Sequence, residues 1–357
     1  MPTTRFTAET DAAQVALLDD FYGDVAQADL QPLWRQQGLM PTAPPIATVP
    51  CLWRFKRLRQ LAERSGELIP LDRGGDRRVL ALCNPGLGGA PWATSTLWGA
   101  VQYLGPGEVA PAHRHTPGAV RFVLEGEGVW TLVNKDAVAM GPGDLVLTPS
   151  WTWHEHHNPA STPMIWFDGL DIPMVRALDA VFYEDGPDQM STRAVDPRSR
   201  SEHRYSAGAG LLPTGPRENL AHSPLLAYRW EDTDRALSSL LELEGGPQVA
   251  LRFADPTTGR DAMPTLRLEM HRLRPGGRTS STRVVGSSVF VAFRGAGTSV
   301  VGGQRFDWSS GDMFVVPSWT PVYHEATEQS DLFALSDAPV IEMLGLRREQ
   351  TLTDAEA

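Results

Sequence analysis

Five of the nine histidines, His113, His115, His154, His156 and His157, fall within 45 consecutive positions. Alternation along a strand sends His113 and His115 to one face and Arg114 to the other, so the two imidazoles come close enough to share an ion. A third imidazole from Trp153-His154-Glu155-His156 would complete a set of three neutral nitrogen donors and leave metal positions open, the arrangement of a catalytic ion and not of a closed structural one. Cys51 and Cys83 are the only cysteines, so thiolates cannot form a metal cage and no disulfide framework is available. His156 follows His154 by two places and in an extended segment faces the same cavity, where it is a candidate acid or base near neutral pH. His157 faces away.

The elements that must position these side chains are strands. The 33 glycines and 29 prolines are scattered between short apolar runs, and the runs at 96–104, 121–125, 129–133, 145–148 and 164–170 read as antiparallel strands bounded by turns. Helical spacing covers 11–37, 52–64 and 230–243. A polar stretch at 184–223 has little periodicity, and strand texture returns at 265–273, 288–293, 298–301 and 313–316. The second half echoes the first. Leu104-Gly105-Pro106-Gly107 is matched by Leu273-Arg274-Pro275-Gly276, Glu125-Gly126-Glu127-Gly128 by Arg294-Gly295-Ala296-Gly297, and Gly143-Asp144 with Pro149-Ser150-Trp151-Thr152 by Gly311-Asp312 with Pro317-Ser318-Trp319-Thr320. These matches keep their order at an offset of 168 or 169 residues, which implies a duplicated domain. Each copy is long enough for a barrel or jelly roll that closes its own edges.

The formal net charge of -11 disfavours nucleic acid and anionic membrane surfaces as partners. No run approaches about 18 uninterrupted apolar residues, and the first residues lack a signal-peptide core, so a cytoplasmic enzyme of small molecules is expected.

An isolated His-x-His is most often a pair of partly buried polar residues, but here the surroundings are specific. Gly107, five residues, His113-x-His115 and Gly126 are followed by Gly143, five residues, Pro149, then His154, three residues and Asn158. This spacing resembles the two cupin motifs. The family's glutamate ligand would fall at Ala119-Val120, where there is no carboxylate, and Trp151 replaces the glycine after the proline. The resemblance thus implies a three-histidine centre of His113, His115 and His154. In the second repeat Thr282 and Val284 stand where His113 and His115 do, Val322 takes the place of His154, and His324 matches His156.

A glutamate-free first cupin, a degenerate second one and a helical arm together resemble the gentisate 1,2-dioxygenase family, which includes salicylate and 1-hydroxy-2-naphthoate dioxygenases. The blocks that carry the resemblance are Trp98-Gly99-Ala100-Val101-Gln102, Pro111-Ala112-His113-Arg114-His115, Arg121-Phe122-Val123 and Pro149-Ser150-Trp151-Thr152-Trp153-His154. It implies a mainly β bicupin of two antiparallel barrel or jelly-roll domains. The expected division is 1–95 for the helical arm and the start of the first cupin, 96–183 for the metal-binding cupin, 184–229 for a connection, and 230–350 for a second cupin without metal ligands. It further implies Fe(2+), dioxygen and a small aromatic carboxylic acid, with cleavage between the carboxyl-bearing and adjacent hydroxyl-bearing carbons, and a homotetramer.

Arg121, six residues after His115, is a candidate to present its planar fork to the substrate carboxylate. Trp98, Ala100, Gln102 and Leu104 alternate on one strand, so one face can offer an aromatic wall, a small gap and an amide donor; ordinary barrel packing is the plainer alternative. By resemblance Asp168 supports the pocket and Arg77 closes over the substrate from the turn 74–78. Gentisate is the expected substrate, giving maleylpyruvate, with salicylate or 1-hydroxy-2-naphthoate as the alternative. A metal-free ligand-binding or sensory cupin and a metal-dependent sugar isomerase are the competing classes.

Overall fold

The computed structural model describes residues 12–70, 78–187, 190, 195–208, 210–215 and 219–353. Its chain contacts divide at Pro45 and Ile46 into two units. The first carries the helix Ala12–Gln27 and a short 3-10 turn, Leu33–Arg35. The helix expected over 11–37 stops early because Asp29 enters the left-handed region at φ 55° and the Leu30 N–H bonds back to the Val25 carbonyl, a helix-ending turn that Pro32 then prevents from resuming.

The second unit contains two six-stranded and two five-stranded antiparallel sheets. In the first repeat Trp98–Leu104, Ala119–Glu125, Leu145–Thr148 and Met164–Leu170 belong to a large sheet. A smaller sheet holds Val109–His115, Trp130–Val133, Asp136–Ala139, His154–His157 and Tyr183–Asp185. The second repeat is built the same way. Its large sheet contains Arg267–Leu273, Ser288–Arg294, Met313–Val316 and Ser330–Ser336, and its small sheet Ala296–Val301, Gln304–Ser309 and Val322–Ala326.

Period-two alternation gives each large sheet two buried faces. One face of the first sheet turns inward, where Leu104, Val123, Val146, Met164 and Trp166 pack against Ala110 and Val138 of the small sheet. The other face carries Val101, Phe122, Leu145 and Phe167 into a core shared with Val289, Val291, Met313, Phe333 and Leu335 of the second repeat. Phe122 and Phe333 stack there with centroids 4.3 Å apart. Gly169 lies on this face, where a Cβ would come within 2.5 Å of a Leu335 methyl, so the close approach of the sheets excludes a side chain there.

The edge strands are exchanged. Cys51–Trp53, which precedes the first barrel, pairs with Met313–Val316 of the second, while Ala227–Tyr228, which precedes the second, pairs with Leu145–Thr148 of the first. Each edge strand runs into a helix, Phe55–Leu68 or Trp230–Glu244. Neither helix has a capping side chain of its own; the cap comes from the Gly-Asp turn of the barrel that receives the strand. Asp144 accepts the Trp230 N–H at 2.9 Å and the Arg229 guanidinium at 2.7 Å. Asp312 accepts the Phe55 N–H and the Arg54 guanidinium, both at 2.8 Å. Gly143 and Gly311, at φ 85° and 87°, make these turns, and a Cβ on either would strike the Trp230 or Phe55 ring.

The described part of the polar stretch after the first barrel joins the same cluster. Its helix Arg200–Tyr205 has a capping box at Ser199 and Glu202, and Glu202 receives Arg229 at 2.7 and 2.6 Å. Among the described residues no helix is long and apolar enough to cross a membrane.

The Arg229 side chain is 12% exposed and that of Arg54 55% exposed. Asp144→Ala should therefore cost about 3 kcal/mol by removing the Trp230 cap and one of the two carboxylates that hold a buried cation, and Asp312→Ala distinctly less. Equilibrium unfolding of the two variants against the parent checks this; equal losses would contradict it.

Candidate functional site

The strand Val109–His115 pairs with His154–His157 so that His113 lies directly opposite His154. With alternation placing His115 on the same side as His113, the three nitrogen ligand atoms lie within 4.8 Å of one another. Ring centroids are 4.2 Å apart for His113 and His154, 4.9 Å for His115 and His154, and 5.7 Å for His113 and His115.

Each ring is aimed by a backbone carbonyl two residues away. The Nδ1 atoms of His113, His115 and His154 bond to the carbonyls of Pro111, Pro117 and Thr152 at 3.0, 2.7 and 2.9 Å. A carbonyl only accepts, so Nδ1 carries the proton and Nε2 is left with its lone pair. Burial, opposed by the Pro117 carbonyl, lowers His115 to about 4. His154 is held well below its ordinary value by burial, then by His113 and Arg121. Both are therefore neutral donors near neutral pH, and the buried His154 Nε2 has no partner. Three imidazoles whose ligand atoms lie within 4.8 Å of one another, one with an Nε2 that is buried and has no partner among the described residues, fit a divalent metal with positions left open.

The large sheet supplies the remaining candidates. Ala100, Asp168 and Arg121 lie side by side on adjacent strands, with Val146 beyond Arg121, all on the inward face. Arg121 is fully buried; its Nε lies 3.4 Å from Asp168 Oδ1, and it also donates to the Thr148 hydroxyl. Burial raises Asp168 to about 6 against the pull of Arg121. Arg121 Nε, Asp168 Oδ1, Trp166 Nε1 and His154 Nε2 are four of the seven buried side-chain atoms without a hydrogen-bond partner among the described residues. Unsatisfied polar atoms are rare in folded interiors, and this concentration suits a polar ligand.

Gln102 shares the inward face beside Trp166, and its amide makes no hydrogen bond among the described residues. Trp98 is half-buried further along the same face, and Ala100 is fully buried between Ala81 and Asp168. His156 lies on the His154 side with ring centroids 5.9 Å apart, and its Nδ1 meets the Thr131 hydroxyl at 2.8 Å. Burial and then Arg121 hold His156 well below its ordinary value, so it is a neutral hydrogen-bonding group here, not a proton carrier near neutrality. His157 turns away, stacked on Trp130 at 3.9 Å.

Arg77 lies outside the described residues. Its neighbour Arg78 is buried and committed to Glu108 and to the Gly66 and Ile69 carbonyls. Sequence reasoning missed Thr131 and Thr148, and it missed Tyr183, whose ring stacks on His113 at 5.6 Å. Only the pairing of Tyr183–Asp185 with His113–His115 brings that ring to the site, and no local motif announces it.

Trp151 sits at φ 59°, a conformation that favours glycine. Arg114 packs between its ring and that of Trp153, 4.3 and 4.5 Å from the centroids, which offsets the strain. Trp319 in the second repeat has φ 55° and carries Arg283 at 4.6 Å.

The second barrel shows what the first has added. Thr282 pairs with Val322 where His113 pairs with His154. Phe290 and Ala334 pair where Arg121 and Asp168 do. His324 Nδ1 bonds to Ser299 as His156 does to Thr131. Burial lowers His324 to about 3. The unfolded chain takes up a proton near the ordinary value, so this histidine contributes stability that is complete above about pH 6.5 and lost as pH falls toward 3. His324→Asn should flatten the fall of unfolding free energy in that window by up to about 1.4 kcal/mol per pH unit; an unchanged slope would refute it.

The cupin-domain family model matches residues 100–172. A gentisate 1,2-dioxygenase from Streptomyces sp is 56% identical over 341 residues, covering 93% of this chain and 95% of that protein. The solved structure of a salicylate 1,2-dioxygenase from Pseudaminobacter salicylatoxidans superposes with a TM-score of 0.89 at 48% identity, covering 94% of this chain and 97% of that one. A further structure of that enzyme, with gentisate adducts, gives a TM-score of 0.91 at 46% identity over 98% of this chain and 97% of that one.

Proposed function

This chain belongs to the gentisate 1,2-dioxygenase family and is a ring-cleaving dioxygenase, and on that premise we propose that it uses Fe(II) to open gentisate between its carboxyl-bearing and adjacent hydroxyl-bearing carbons, giving maleylpyruvate. The observation that carries this reading is the pairing of three converging imidazoles with a buried guanidinium inside one barrel. An iron held by His113, His115 and His154 supplies Lewis acidity and electrons for dioxygen chemistry.

The chain's own groups then have distinct tasks. Arg121 is a permanent cation in a desolvated setting, where its attraction for a carboxylate or for charge developing on oxygen is strong. Asp168 and the Thr148 hydroxyl fix the direction of its fork. Gln102 offers an uncommitted amide to a ring hydroxyl, and Trp98 bounds the space for the ring. Ala100 sets the clearance beside Asp168, where its methyl narrows the room that glycine would leave. His156, held by Thr131, orients polar atoms without carrying charge. The inward-facing Leu104, Val123 and Met164 keep water out of the barrel.

The second reading is the same chemistry on salicylate or 1-hydroxy-2-naphthoate, favoured by the likeness to the salicylate enzyme. Protein loaded anaerobically with Fe(II) should take up oxygen with gentisate and develop the absorbance of an enol product. Faster turnover of salicylate would favour the second reading, and no oxygen uptake with gentisate, salicylate or hydroxynaphthoate would refute both. His113→Ala should lose iron by elemental analysis together with all turnover, whereas His324→Asn should retain its iron.

A further inference from the structure

A separate cavity of about 550 Å³ is lined by none of His113, His115 and His154. Its walls come from the hairpin at Asn134 and Lys135, the loop before His154, the helix Arg200–Tyr205, and a turn of the second repeat at Asp255. The floor is apolar, with Val133 and Leu226. Three cations line it, Lys135, Arg200 and Arg204, and none forms an ion pair among the described residues.

The two carboxylates in the wall are already engaged. Asp136 accepts the N–H groups of Arg200 and Ser201 at 2.7 and 2.8 Å, which fastens the helix to the hairpin. Asp255 accepts the Thr257 N–H and the hydroxyls of Thr257 and Thr258 at 2.7, 2.7 and 2.9 Å. Both carboxylates keep their charge, so the three cations leave the lining one net positive charge over an apolar floor, on a protein of net charge -11. In the second repeat the hairpin position of Lys135 is Gly303, so the cationic wall belongs to the first repeat alone.

The cavity also touches the machinery that aims His154. Thr152, whose carbonyl holds the His154 Nδ1–H, lines it. Asn134 lines it as well, receiving the Trp153 N–H at 3.1 Å and donating its own N–H to the Trp153 carbonyl at 2.7 Å.

We infer that this cavity is a second binding site, for a small organic dicarboxylate, and that its occupancy is sensed at His154. Two carboxylates can each meet a cation while the carbon body covers the apolar floor, which a lone inorganic anion cannot do. Ring opening of an aromatic acid yields a dicarboxylate, and only this link to the product rests on the function proposed above.

Maleate titrated calorimetrically into the full chain tests the site without turnover. It should bind the parent and His113→Ala alike, since the latter keeps the cavity whatever its metal content. Lys135→Glu, and separately Arg204→Gln, should weaken maleate roughly tenfold or more with the unfolding midpoint of the ligand-free protein unchanged, because both side chains are exposed. Maleate should also shift the ring-proton resonances of His154 in the metal-free parent. No heat with the parent, undiminished binding in both variants, or inorganic phosphate competing as strongly as maleate would overturn the proposal.

Discussion

Each large sheet must bury both of its faces, one inside its own barrel and one against the other repeat, and this constraint governs where polarity is tolerated. The shared face is apolar apart from the buried ion pair of Arg272 with Asp331, with Val101, Phe122, Leu145 and Phe167 meeting Val291, Phe333 and Leu335. An ion on the inward face costs several kcal/mol unless it is paired. The first barrel accepts that cost at Arg121 and Asp168, whereas the second places Phe290 and Ala334 at the same row and carries its inward charge on the neighbouring strand, at Glu269 beside His271. The difference between the two barrels is therefore written on the large sheet as well as in the histidines.

Desolvation gives the titratable groups it acts on different characters. It keeps the imidazoles of His115 and His154 neutral, which is the state a metal needs, and backbone carbonyls hold the Nδ1 atoms of all three rings. It lifts Asp168 to about 6 while leaving Arg121 a cation. The same burial that disables His156 as a proton carrier makes it a rigid hydrogen-bonding group beside Trp166, 5.6 Å between ring centroids.

The histidine triad was legible because strand alternation and the spacing of glycines and prolines are local signals. For the same reason the strands Leu145–Thr148, Met164–Leu170 and Met313–Val316 begin and end where the apolar runs do. The offset of 168 or 169 residues between repeats reappears as matched pairings, Thr131 with His156 and Ser299 with His324. What the sequence hid is contact at long range. The tie from Arg54 to Asp312 spans 258 residues, and its only trace is the weak echo of Trp53-Arg54-Phe55 in Tyr228-Arg229-Trp230. Arg78, next in sequence to the candidate Arg77, spends its guanidinium on Glu108 and two carbonyls. Helical spacing past Gln27 was real in composition and was overridden by the left-handed turn at Asp29.

The exchange of edge strands has a consequence for descent. A gene severed between the halves would encode two fragments, each lacking the outer strand of its own barrel and holding one that fits only its sister. Such a pair is bound to be inherited whole. Once that interdependence existed, one half could shed its ligands without becoming dispensable, since its sister's edge still travelled with it.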